Sequence, residues 1–135
     1  MHAVETKDAP AAIGPYSQAI VVGDLLFVSG QLPIDPVTEV FSSEDPVEQM
    51  RQCLRNVAAI ALEQGGSLAS TVKTTVFVRD LARFGEINAA YGEFFVAPYP
   101  ARSTIEVSGL PRGALVEVDA VIKLAPGSRK NPSDG

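Results

Sequence analysis

The stretch ALVEVDAVIKL, Ala114 to Leu124, decides the fold. It alternates as a β-strand must, with successive side chains on opposite faces. Val116, Val118, Ala120, Ile122 and Leu124 form one uninterrupted apolar side, suited to lie beneath helices. The other side carries Leu115, Glu117, Asp119, Val121 and Lys123, which is mixed rather than freely polar. A strand with one dry face and one half-dry face implies a sheet covered on both sides.

Working backwards, ARSTIEVS (Ala101 to Ser108) reads as another strand, joined to the last by a Pro-Arg-Gly turn. Pro98 and Pro100 precede it and stop the helix before them. That helix follows Asp80, a candidate N-cap, and lines up Phe84, Ile87, Tyr91, Phe94 and Phe95 on one side. TVKTTVFVR (Thr71 to Arg79) is rich in β-branched residues and predicts a strand. Its faces, Val72-Thr74-Val76-Val78 and Lys73-Thr75-Phe77-Arg79, both hold apolar side chains.

An earlier helix starts at Asp45-Pro46-Val47-Glu48, where Asp45 is the N-cap, Pro46 occupies N1 and Glu48 is the N3 acid of a capping box. Val47, Met50, Leu54, Val57, Ala58 and Ala61 recur at helical spacing until Gly65-Gly66 ends the run. The irregular LPIDPVTEVFSSEDP precedes it. Before that, Gln18 to Gln31 reads as two β-runs around Gly23-Asp24. The predicted order is β-β-α-β-α-β-β, an α+β fold with a mixed sheet and two helices on one face. Two helices cover one face only. The other is expected to be covered by further copies of the chain, making a homo-oligomer with its sheets inward.

The whole chain has 135 residues, is 46% hydrophobic and carries a net charge of −5. One domain is expected over residues 1–135, with an ordered core of about 9–125 and a flexible tail at 126–135. An acidic chain lacks the electrostatic footprint of nucleic-acid binding, and Arg129-Lys130 lie in that tail. A single cysteine excludes an internal disulfide and a multi-cysteine metal site. No apolar leader or membrane-length run is present, so a soluble, cytoplasmic protein is expected.

Candidate chemistry is bounded by what is missing. His2 is the only histidine and falls in an end expected to be mobile, so no histidine-based triad or metal site can be assembled. Cys53 lies near the apolar face of the first helix and is read as a core residue. No phosphate-binding or dinucleotide motif occurs. Arg102 reads either as a partner in a structural ion pair or as a forked clamp for a small carboxylate. Glu117 reads either as a rim salt bridge or as a partly desolvated acid that handles water. Ser29-Gly30 ends a strand, where a backbone N–H could approach a ligand. Tyr16 lies in a Gly-Pro loop and Asn88 on the second helix; neither is specific alone.

Together, APAAIGPYSQAI (Ala9 to Ile20), FVSGQLPIDP (Phe27 to Pro36), VKTTVFVRDLARFGEINAAY (Val72 to Tyr91) and PARSTIEVSGLPRGALVEVDA (Pro100 to Ala120) resemble the Rid family of reactive enamine/imine deaminases, formerly grouped as YjgF. The resemblance spans about Ala9 to Leu124. It implies a chorismate-mutase-like fold and a homotrimer whose sheets line a central barrel, with active sites in the clefts between subunits. It implies that Arg102 binds the substrate carboxylate and that Glu117 serves water and proton transfer. Ser29 and Gly30 would meet the substrate, Tyr16 would close over it and Asn88 would complete the pocket. The implied reaction is hydrolytic deamination of 2-aminoacrylate and similar enamines or imines, as by a 2-iminobutanoate/2-iminopropanoate deaminase, limiting metabolite damage. No cofactor or metal is called for.

Two positions depart from the family pattern: Thr104 stands where many members have cysteine, and Asp119 where glutamate is more usual. Rival expectations are a trimeric binder of small carboxylates without turnover, an RNA-directed translation inhibitor, and a deaminase dedicated to aminomuconate-type substrates.

Overall fold

A computed structural model describes residues 1–126. Six strands, β1 (His2–Val4), β2 (Ala19–Val22), β3 (Leu25–Gln31), β4 (Thr71–Val78), β5 (Ala101–Glu106) and β6 (Val116–Lys123), form one sheet in the order β1-β2-β3-β6-β4-β5. Only β4–β5 is parallel. Two helices, α1 (Pro46–Glu63) and α2 (Phe84–Gly92), give the order β-β-β-α-β-α-β-β, the predicted one with β1 added at its start.

β6 behaves as its alternation predicts. Val116, Val118, Ala120 and Ile122 are buried, packed in two apolar clusters that also take in Leu54, Val57 and Ile60 of α1 and Ile87 and Tyr91 of α2. On the opposite face Phe27 and Ile105 remain 44% and 43% exposed, beside half-buried Phe77 and Val121. Both helices thus cover one face, and the open face carries two apolar cross-strand pairs, Phe27–Val121 and Phe77–Ile105.

Several local expectations are corrected. The sheet begins earlier than the expected ordered core, because His2–Val4 pairs with Val21 to Ala19. His2 is therefore held in a strand, with its ring Nε2 3.4 Å from Gln64 Oε1. Asp45 does cap α1, accepting from Val47 N–H at 3.1 Å. The reciprocal arm of the capping box is absent, since Asp45 N–H donates to Ser43 Oγ and Glu48 pairs instead with Arg51. Asp80 caps a 3-10 turn at Leu81–Arg83, and α2 begins only after it. Phe94 and Phe95 lie beyond the end of α2, though Phe95 still packs on Tyr91 with 4.6 Å between ring centroids. Val72 is exposed rather than aligned with buried Thr74, because the pairing of β4 with β6 shifts between Thr71 and Lys73. Of the tail expected at 126–135, all but Pro126 lies outside the described residues.

Candidate functional site

The pairing of β3 with β6 builds the first half of the site. Val28 faces Ala120 and Gln31 faces Val118, so Ser29 and Gly30 together oppose the single residue Asp119. This bulge turns Gly30 toward the open face. There the Glu117 carboxylate lies so close that a Cβ at Gly30 would be 2.7 Å from Glu117 Oε2. Contact rather than backbone angle favours glycine here, since any side chain would displace the Glu117 carboxylate.

Glu117 is half-buried and accepts no hydrogen bond from the described residues. Burial pushes its carboxyl above the ordinary value, and the charge of Asp119 adds to the shift. Asp119 itself accepts from Thr75 N–H at 3.1 Å.

Ser29 fastens this half-site to the loop before β2. Its hydroxyl donates to Ser17 O at 2.6 Å and its N–H donates to Gln18 O at 2.9 Å. With its proton engaged, the Ser29 hydroxyl is left with acceptor capacity toward a ligand. Tyr16, 53% exposed, accepts from Ile13 N–H at 3.3 Å through its hydroxyl. Tyr16 and Gly30 share one cavity of about 260 Å³, whose other walls include Ile13, Leu32, Pro111 and Arg112. A larger open groove of about 850 Å³ follows the N-terminal segment and touches neither Glu117 nor Arg102.

The second half lies on the other side of the sheet. Arg102 pairs in register with Thr74, whose hydroxyl meets the Tyr91 hydroxyl at 2.8 Å beneath α2. Arg102 therefore turns toward α2, where its guanidinium sits 4.8 Å from the Tyr91 ring centroid and 5.2 Å from that of Phe84. Its Nη1 donates to Asn88 Oδ1 at 2.6 Å. Among the described residues no carboxylate pairs with it, so the structural ion pair is not formed. Phe84, Asn88 and Tyr91 are spaced i, i+4, i+7, one face of a helix. Two aromatic rings and one amide oxygen thus aim an exposed guanidinium whose remaining donors are open. Such contacts with aromatic faces contribute about 0.5–1 kcal/mol each at exposed sites.

The structure thus joins Glu117, Gly30, Ser29 and Tyr16 in one group and Arg102 with Asn88 in another. Cys53 belongs to neither. It is fully buried, 3.6 Å from Val116 O, and burial followed by the charge of Glu117 pushes its thiol well up. No cluster of metal-ligating side chains occurs among the described residues. No described helix is long and apolar enough to cross a membrane.

Sequence reasoning missed the amides that hold these groups in place. Buried Asn56 donates to Leu32 O and Ile34 O at 3.0 and 2.9 Å, fixing the chain just after Gly30. Buried Gln49 accepts from Leu115 N–H at 2.8 Å and donates to Ser43 O, fixing the approach to Glu117. Gln18 ties down the carbonyls of Thr6, Ala9 and Pro10 beside Tyr16. Phe84 and Tyr91 were legible as a helical stripe, but not as a platform for Arg102.

Comparison with known proteins gives concordant matches. The profile of the family described as Endoribonuclease L-PSP matches residues 6–124. The chain is 60% identical over 121 residues to the RutC family protein y4sK of Sinorhizobium fredii, covering 90% of this chain and 96% of that one. It is 46% identical over 121 residues to a protein of Salmonella typhimurium named 2-iminobutanoate/2-iminopropanoate deaminase, covering 87% and 94%. Its fold superposes on E. coli TdcF with bound serine at a TM-score of 0.87 and 37% identity, covering 93% of this chain and all, 100%, of that one.

Proposed function

This chain belongs to the Rid family, also called YjgF or RutC, and from that premise we propose that it hydrolyses 2-aminoacrylate and related enamines or imines to 2-oxo acids and ammonia. The observation that carries the reading is Arg102: an exposed guanidinium held by Asn88, Phe84 and Tyr91, with no acid among the described residues to neutralise it. A planar fork of this kind suits a carboxylate gripped through both oxygens.

In the proposed reaction Arg102 fixes the substrate carboxylate, so that C2 presents one face to a water beside Glu117. The enamine first takes a proton on its terminal carbon and becomes an iminium. Glu117, a stronger base than a free carboxylate because its carboxyl is shifted up, accepts a proton from the water as oxygen bonds to C2. The carbinolamine then reforms a C=O bond, and the C–N bond breaks with ammonia taking the returned proton. In sum, one water enters, one ammonia leaves and no electrons are exchanged. Such imines hydrolyse slowly unaided, so positioning and proton relay suffice.

The two groups sit on opposite faces of the chain's sheet. We place the working site between protomers, with Arg102 and Asn88 of one beside Glu117, Gly30 and Tyr16 of the next. The apolar open face supports a homotrimer with its sheets inward.

The test is a coupled assay. A serine dehydratase generates 2-aminoacrylate, and its decay to pyruvate is followed with and without this protein. Acceleration that Arg102→Ala abolishes supports the reading. Ligand-protected binding of 2-oxo acids without acceleration would make the protein a carboxylate-binding module. The family description names RNA cleavage, but a net charge of −5 disfavours a polyanion.

A further inference from the structure

Arg112 has no part in the reaction just described, yet it is held with unusual care. Among the described residues, Glu39 and Arg112 are the two non-glycine positions with left-handed backbone, at φ 64° and 60°. They touch each other: Arg112 Nη2 donates to Glu39 O at 3.3 Å. The guanidinium also lies 5.7 Å from the Phe41 ring centroid. Side chains resist this backbone region, and such conformations persist where surrounding contacts enforce them. Here the connection from β3 to α1 and the turn before β6 enforce them on each other.

The consequence is an arginine, exposed and held at its tip by Glu39 and Phe41, among the residues that line the 260 Å³ cavity shared by Tyr16 and Gly30. Most of that wall is apolar, formed by residues such as Ile13, Leu32, Ile34 and Pro111. Its other polar side chains have partners: Gln18 holds the Thr6–Pro10 loop, Gln31 donates to Ser29 O at 3.2 Å, and the Tyr16 hydroxyl accepts from Ile13 N–H at 3.3 Å. Among the described residues Arg112 is the only charged one lining the cavity, and no described carboxylate pairs with it. The space far exceeds a methyl group, since one water occupies about 30 Å³.

We propose that this cavity receives the substrate's side chain and that Arg112 selects imino acids whose side chain ends in a carboxylate. The inference rests on the deaminase reading above. An apolar sleeve accepts the methylene stem, and the guanidinium at its wall meets the terminal anion while keeping its contacts to Phe41 and Glu39. Arg102 holds the α-carboxylate, so the two arginines grip the two ends of a dicarboxylic imine. The hydrolysis is unchanged; only the preferred substrate is specified.

A matched substrate pair tests this. An amino-acid oxidase generates 2-iminoglutarate from glutamate and 2-iminopentanoate from norvaline, with catalase present; the two differ at the end of an otherwise equal stem. The readout is the ratio of kcat/KM for the charged over the uncharged imine. In Arg112→Gln and Arg112→Gly this ratio is expected to fall about five- to tenfold, between an exposed pair and a charge-assisted hydrogen bond. Arg112→Gly adopts the left-handed backbone without strain, so misfolding cannot mimic the result. Arg112→Lys should retain part of the preference. A ratio that changes less than about twofold in both variants, or a wild type that rejects 2-iminoglutarate while hydrolysing 2-iminopentanoate, overturns the inference and leaves the deaminase reading intact. A wild type that turns over neither imine overturns the inference alone, because the deaminase reading stands or falls on 2-aminoacrylate in the serine dehydratase assay.

Discussion

Arg102 and Glu117 project from opposite faces of one sheet. Arg102 shares a register row with Thr74 and Ala120 on the helix side, whereas Glu117 pairs with Phe77 on the open side. Strand β4 separates their strands, and the sheet separates their side chains. A substrate as small as 2-aminoacrylate can be gripped by both only if they come from different protomers, as proposed above.

Subunit mixing checks that arrangement directly. Arg102→Ala and Glu117→Gln chains are each expected to be inactive alone. Co-refolded in equal amounts, they should regain about a quarter of wild-type activity, because about three in four random trimers are mixed and each mixed trimer rebuilds one site in three. A site within one chain would give no recovery, since every chain carries a lesion.

At Arg102 the geometry of the charge matters more than its presence. Arg102→Lys keeps the cation but loses the planar fork that Asn88, Phe84 and Tyr91 orient. We expect kcat/KM to fall by about 10- to 100-fold, the worth of a charge-assisted bidentate contact. Steady-state kinetics on 2-aminoacrylate would measure it, and a change within about threefold would contradict a forked grip.

These two residues also mark what was legible in the sequence. The alternation of β6 and the capped stripe of α1 fixed the sheet and its helix face, because burial on one side imposes a period that any reader can count. β1 escaped notice because His-Ala-Val is too short to show a period. The motifs pointed to Arg102, Asn88, Ser29, Gly30, Tyr16 and Glu117 as a set to examine. Their division between two faces was hidden, since the face of Arg102 depends on the β4–β5 register, a long-range property. Asn56 and Gln49 were hidden for another reason: an amide on a helix looks solvated until the carbonyls it reaches are known.

Glu117→Gln separates chemistry from stability. Single-turnover hydrolysis should slow markedly while substrate binding is retained, because the amide cannot accept the proton of water. Stability should move the other way at neutral pH. A carboxyl shifted up on folding binds its proton more tightly in the folded state, so the ionised form is destabilising above the raised value. That cost fades as pH falls toward the ordinary value of 4.5. Thermal melts should therefore show Glu117→Gln more stable than wild type near pH 8 and equal to it near pH 4, as an order-of-magnitude guide to the window. A variant less stable at every pH would assign Glu117 a structural role.

Gly30→Ala tests the close approach of backbone and acid. The new methyl would lie 2.7 Å from Glu117 Oε2, so the carboxylate must swing aside. Because the clashing atom ends a flexible side chain, stability should fall by only about 1 kcal/mol while kcat falls at least about tenfold. In the Glu117→Gln background the further loss in kcat should nearly vanish, and full additivity would dissociate Gly30 from Glu117.

Cys53 is a built-in reporter of the core. With its thiol fully buried and pushed well up, the folded protein should resist alkylation at pH 8 and react only on unfolding. Mass spectrometry after iodoacetamide, with and without denaturant, would show it; rapid labelling of the native chain would contradict the packing of α1 on β6.

Thr104 extends the point. It sits two residues from Arg102, and with the chain's lone sulfhydryl sealed behind the helices, the groups assigned to the cleft carry no sulfur. Peroxide bursts, which disable enzymes built around an exposed thiolate, have no such handle on the proposed machinery, so its output would hold steady through oxidative stress.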